Sequence, residues 1–157
     1  MVTNIIKSLK LENLKKIIFL CTGNSCRSQM AEGFAKQMFS NQEVLIESAG
    51  VRADGLNILA VKVMMELGID IANQISKEIK LFNLHEFDLV FTVCDDAREA
   101  CPVIDSKKII HNSFFDPALS VGTIDEQLAI YREVRDQIQI FVHELFNNYK
   151  SICHEQN

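Results

Sequence analysis

A chain of 157 residues with a formal net charge of −5 is one domain's worth of protein. Hydrophobic residues make up 48% and charged residues 24%, which places it with soluble globular chains and away from disordered ones. The acidic balance argues against nucleic-acid binding, and no apolar run approaches the roughly 18 residues of a membrane span.

Residues 1–14 read as an N-terminal extension in which Ile5, Ile6, Leu9 and Leu14 could stripe a short helix, ahead of a single domain over residues 15–157. Residues 15–20 end in the continuous, partly β-branched apolar run 17–20 and predict a buried strand. After the loop 21–27, Ser28 is the expected N-cap of a helix whose face carries Met30, Phe34 and Met38. Residues 43–49 predict a second strand closed by Gly50. Residues 57–67 predict a helix ended by Gly68, with Leu59, Val63 and Leu67 four apart. A weaker helix is expected over 76–84, then strands over 88–93 and 108–111. Residues 123–149 predict a long helix with Leu128, Tyr131, Val134, Ile138, Phe141, Leu145 and Tyr149 inward and Asp125 and Glu126 in its first turn. Apolar strands alternating with helices imply an α/β protein, a three-layer α/β/α domain on a four-stranded parallel sheet. In such sheets ligands bind beyond the carboxyl ends of the strands, where Cys21 and Cys94 fall.

The cysteines are Cys21, Cys26, Cys94, Cys101 and Cys153. An odd count with no secretory leader points to the cytoplasm, where thiols act as ligands, as catalysts or not at all. Cys21 and Arg27 bracket Thr22, Gly23, Asn24, Ser25 and Cys26 between a strand and a helix. Such a loop can wrap an oxyanion: Gly23 lets successive N–H groups turn inward, the next helix presents its positive end, and Arg27 offers a planar fork. The same field is expected to stabilise a thiolate at Cys21. Asn24 is expected to brace the loop, and Ser28 to bond Cys21 or the anion. Cys26 reads as loop structure, and Cys153 as incidental near a fraying terminus. Asp116, before Pro117, is either a turn residue or a general acid. Cys94 and Cys101 by themselves are a redox pair or two unrelated thiols. A zinc site on Cys21, Cys26, Cys94 and Cys101 fits poorly, because the spacings exceed those of structural zinc pairs. His85, His111, His143 and His154 show no ligand spacing.

Residues 21–33 resemble the active-site segment of the low-molecular-weight tyrosine phosphatase superfamily and, more narrowly, of the thioredoxin-coupled arsenate reductases. Supporting stretches are residues 47–50, 68–72, 76–77, 92–97, 101–102, 116–118 and 132–136. The resemblance implies a three-cysteine relay. Cys21 attacks arsenate, Cys94 attacks Cys21 and releases arsenite, and Cys101 attacks Cys94 to leave a disulfide for thioredoxin. It assigns Arg27 and loop residues 22–28 to the oxyanion and Asp116 to acid catalysis. It implies no cofactor beyond the external reductant, an arsenate- or phosphate-like substrate, and a monomer in the cytoplasm without nucleic-acid or membrane partners.

Some family members bind potassium at positions matching Asn24, Glu32 and Ser48. Here Lys77 stands where a further carboxylate would be, and its ammonium would repel the cation and could replace it, so no metal is expected. Departures from the reductase pattern are Asn112 in place of a Trp, Phe115 in place of an acidic residue and Ile58 in place of a Pro. They leave the catalytic set intact and bear on what the resemblance implies for the pocket rim and partner surface. The alternative is a low-molecular-weight tyrosine phosphatase working through a Cys21 phosphoenzyme. Ala118 and Leu119, rather than aromatic residues, follow Asp116-Pro117 and favour the reductase. A non-enzymatic oxyanion-binding or redox-sensing module is a third reading, disfavoured by the joint presence of nucleophile, arginine and acid.

Seven residue steps on an α-helix, at a rise of about 1.5 Å each, would hold Cys94 and Cys101 about 10 Å apart. A disulfide requires Cα atoms within about 7 Å. The expectation is a short helix in the reduced state that rearranges when the two pair.

Overall fold

The computed structural model describes residues 13–101 and 108–154, with side chains to residue 149. The expected segment over residues 1–12 and the side chain of Cys153 lie outside the described residues.

Four parallel strands form one sheet in the order β2-β1-β3-β4: β1 is Lys16–Cys21, β2 Leu45–Gly50, β3 Leu89–Thr92 and β4 Ile109–His111. The central strands β1 and β3 are buried on both faces, as continuous apolar strands must be, so helices cover the sheet on both sides. The chain passes from β1 to β2 on one side and then to β3 on the other. That reversal opens a crevice beyond the ends of β1 and β3, where α/β sheets bind ligands.

Helix α1 spans Arg27–Met38, α2 Ile58–Met65, α3 Asp95–Ala100 and α4 Ile124–His154. Asn57 caps α2 by accepting the N–H groups of Leu59 and Ala60, and Gly68 ends it at φ +76°. Thr123 and Glu126 cap α4 reciprocally: Thr123 Oγ1 accepts the Glu126 N–H, and the Glu126 carboxylate accepts the Thr123 N–H. The stripe predicted for α4 is buried through Leu145, and Phe141 packs edge-on against Phe91 of β3, ring centroids 5.5 Å apart. Glu66 at the end of α2 binds Arg132 and Arg135 of α4 at 2.8 Å and 3.0 Å and ties the two helices together.

Two expectations are corrected. Residues 76–84 do not form an α-helix. They make a 3₁₀ turn at Ile79–Leu81, and a second follows at Leu84–Glu86. Tertiary contacts outweigh local propensity here: the Lys77 carbonyl accepts the Gly50 N–H at 2.8 Å, and the Lys77 N–H is held by Asn24. Nor is Ser28 an N-cap. Helix α1 begins at Arg27 with Cys26 in the cap position and no side-chain cap, because the Ser28 hydroxyl is turned inward to the loop.

Candidate active site

The loop between β1 and α1 closes on itself around Cys21. The Cys21 and Ser28 side chains share a 2.7 Å hydrogen bond, and the Asn24 N–H donates to Cys21 Sγ at 3.2 Å. That second contact requires Asn24 to adopt the left-handed conformation, φ +47°, which Asn tolerates better than most residues. Every polar group of its amide is engaged. Nδ2 donates to Ser28 and Ser48, while Oδ1 accepts from Gln29 Nε2 and the Lys77 N–H. Gln29 is buried and is itself held through its Oε1 by Gln74 at 2.8 Å. Gly50 presses on the loop from β2, leaving no room for a side chain between it and the backbones of Thr22 and Asn24.

A pocket of about 240 Å³ opens over this loop. Cys21, Thr22, Gly23, Ser25, Cys26 and Arg27 line its floor, and Asp116, Ala118 and Leu119 line the opposite wall. Asn24 and Ser28 are fully buried behind the lining, as braces. Arg27 is buried, donates to the Phe114 carbonyl at 3.2 Å and pairs with Asp116 at 3.2 Å. The Arg27 guanidinium and the Asp116 carboxylate therefore face the same pocket as the Cys21 thiol. Cys26 is buried against Tyr131 of α4, and burial pushes its thiol up to about 11, so it stays protonated. Two lining residues carried no local signal in the sequence. Arg52 and Asp54 sit on the rim, joined by 2.9 Å bonds from Arg52 Nε to both carboxylate oxygens.

Cys21 does not show the lowered pKa expected from the field of the loop. Burial pushes Cys21 above its ordinary 9.0, and the neighbouring Cys94 adds to the rise. The Ser28 hydroxyl and N–H and the Arg27 charge pull the other way without overcoming the loss of solvent. The predicted position of Lys77 is also corrected. Its ammonium pairs with Glu47 at 3.0 Å, and the cation beside buried Glu32 is Lys36 at 2.6 Å, with Ser48 on the other carboxylate oxygen.

Register brings the second cysteine in. Leu20 lies opposite Thr92, so two steps further on Thr22 meets Cys94, and Thr22 Oγ1 is 3.2 Å from Cys94 Sγ. Cys94 occupies the N-cap of α3, its sulfur accepting the Ala97 N–H at 3.4 Å, and Cys101 caps the other end. The short helix expected between them is present, and Cys21, Cys26, Cys94 and Cys101 are all free thiols. His111 closes β4 and contacts Thr92 and Asp95.

A four-stranded parallel sheet with a cysteine-and-arginine anion loop at its reversal point defines the low-molecular-weight phosphatase fold. The chain belongs to the low molecular weight phosphotyrosine protein phosphatase family, whose model matches residues 16–156. It is 52% identical over 129 residues to an arsenate reductase of Bacillus subtilis strain 168, covering 82% of this chain and 91% of that protein. Among solved structures, an arsenate reductase in the phosphate-binding state superimposes with a TM-score of 0.70 at 32% identity, covering 87% of this chain and 99% of the other. A low molecular weight protein tyrosine phosphatase from T. tengcongensis superimposes with a TM-score of 0.73 at 25% identity, covering 85% of this chain and 98% of the other.

Proposed function

We propose that this protein reduces arsenate to arsenite through a relay of Cys21, Cys94 and Cys101, with thioredoxin as the external reductant and no bound cofactor. The observation that carries this reading is the Cys94 sulfur beside Thr22, one residue from the nucleophile, with Cys101 at the far end of the same short helix. Hydrolysis has no use for that pair.

In the first step the Cys21 thiolate attacks arsenic of an arsenate held by Arg27 and the loop N–H groups. An oxygen leaves as water after taking a proton from Asp116. Burial raises the Cys21 thiol, and a dianionic substrate takes up its proton as it binds. Next the Cys94 thiolate attacks Cys21 Sγ. The sulfur–arsenic bond breaks, its electron pair leaves with arsenic, and As(V) becomes As(III) as a Cys21–Cys94 disulfide forms. Cys101 then attacks Cys94 Sγ, freeing Cys21 and leaving a Cys94–Cys101 disulfide for a dithiol to reduce. A relay that must be re-reduced every cycle belongs in a reducing compartment, the cytoplasm. The name of the Bacillus subtilis relative supports the same reading.

The test is arsenate-dependent oxidation of reduced thioredoxin by the wild type and by Cys101→Ser. The expected result is steady turnover by the wild type and a stall after one turnover in the variant. Robust turnover by the variant removes Cys101 from the relay. The second reading is a phosphomonoester hydrolase, favoured by the contact of Arg27 with Asp116 over Cys21 and by the fold shared with tyrosine phosphatases. Efficient cleavage of aryl phosphates with indifference to arsenate would establish it instead.

A further inference from the structure

Helix α3 separates the two relay thiols, yet among the described residues few side-chain contacts hold it to the body of the protein. Of its six residues only Ala97 is buried. Its described side-chain ties to the rest of the protein lie in the first turn: Asp96 accepts from the Thr22 hydroxyl at 3.2 Å, and Asp95 Oδ1 lies 3.0 Å from His111 Nε2, with Arg98 of the same helix 4.0 Å from that oxygen. Arg98, Glu99 and Ala100 are exposed. His111 is set for its contact. Its other ring nitrogen is 2.7 Å from the hydroxyl of fully buried Thr92, two residues before Cys94, and about a quarter of its side chain is exposed.

We infer that His111 is a positioning residue which, through Asp95, pins the first turn of α3 to the sheet. The pin keeps Cys94 at the loop while the second half of α3 comes apart to bring Cys101 to it. The inference rests on the relay proposed above. The relay makes opposite demands on one six-residue helix: its N-terminal cysteine must stay in attacking range of Cys21, and its C-terminal cysteine must travel. A helix whose ties to the described body of the protein lie in its first turn satisfies both. Holding a reacting group in place is worth much of an intramolecular rate, and small displacements forfeit it. An exposed ion pair ordinarily contributes little, because two long side chains must be immobilised to make it. Here the imidazole is already immobilised by Thr92, so only the short Asp95 side chain loses freedom.

The experiment follows the first disulfide in a single turnover. Fully reduced Cys101→Ser protein is mixed with arsenate, quenched in acid and alkylated, and the Cys21–Cys94 peptide pair is quantified over time by mass spectrometry. In that background Asp95→Ala and His111→Ala are each expected to slow disulfide formation about tenfold, the scale of one hydrogen bond to a charged group. The double variant should be no slower than either single one, as for two residues acting through one contact. His111→Gln, whose amide can still donate to Asp95, should recover most of the rate, and half-saturation by arsenate should not move. If His111→Ala fails to fold, Asp95→Ala, altering an exposed side chain, carries the test with Asp95→Asn as its rescue. Rates equal to the parent, or additive losses that Gln does not rescue, overturn the inference while leaving the relay intact. Absence of any Cys21–Cys94 disulfide in the parent overturns the relay, and this inference with it.

Discussion

The Thr22 hydroxyl lies 3.2 Å from the Cys94 sulfur and 3.2 Å from the Asp96 carboxylate, so the residue that follows the nucleophile also anchors the start of α3. The oxyanion loop and the second thiol are thereby mechanically joined, and a change on either side is felt by the other.

Helix α3 is the element that the proposed relay would have to unmake. Amide hydrogen exchange over residues 94–101 should be slower in the reduced protein than after oxidation to the Cys94–Cys101 disulfide, because pairing those cysteines is incompatible with the intervening helix. Equal protection in the two states would show that the helix survives oxidation.

The Ser28 hydroxyl is the largest of the effects pulling the buried Cys21 thiol back down. Ser28→Ala therefore raises that pKa further and leaves less thiolate at neutral pH. Arsenate turnover should fall about tenfold at pH 7, the scale of one hydrogen bond to a charged group, and the deficit should narrow as pH rises. A deficit constant across pH would assign Ser28 a purely structural role.

Gly50 touches the loop through backbone alone. A Cβ there would lie 2.4 Å from the Arg52 carbonyl oxygen, 2.6 Å from the Asn24 nitrogen and 2.7 Å from the Thr22 carbonyl oxygen. None of these can swing aside, so Gly50→Ala displaces the loop. The expected cost is about 1–3 kcal/mol in denaturant unfolding, with a loss of about a hundredfold in kcat/KM. Unfolding and turnover indistinguishable from wild type would show that the loop accommodates the methyl group.

Hydrogen bonding from Arg132, followed by Arg135, lowers the Glu66 pKa from 4.5 to about 2. The folded state thus favours the ionised carboxylate. Its contribution is complete above pH 4.5 and is lost as pH falls toward 2. Glu66→Gln should be less stable than wild type at pH 7, and the two melting temperatures should converge below pH 4.5. A gap that persists at pH 2 would mean that packing, and not charge, is what the glutamate supplies.

The sequence by itself determined what local chemistry can specify. Apolar runs set the strands, the α4 stripe set its buried face, and the spacing of Cys21, Gly23 and Arg27 between strand and helix set the anion loop. Where contacts across the chain compete with local preference, the fold departs from that preference. Ser28 is a good N-cap by residue type, but its hydroxyl is worth more to the buried Cys21 and Asn24, and residues 76–84 give up helical bonds to serve Gly50 and Asn24. The electrostatics of Cys21 were likewise beyond the sequence, because local donors are visible in it and the degree of burial is not. Which distant groups meet is set by the tertiary fold: Arg27 with Asp116, Thr22 with Cys94, Lys77 with Glu47, and His111 with Asp95. The physical reason is strand register. A one-residue slip of β3 against β1 would leave every element in place and move Cys94 away from Thr22.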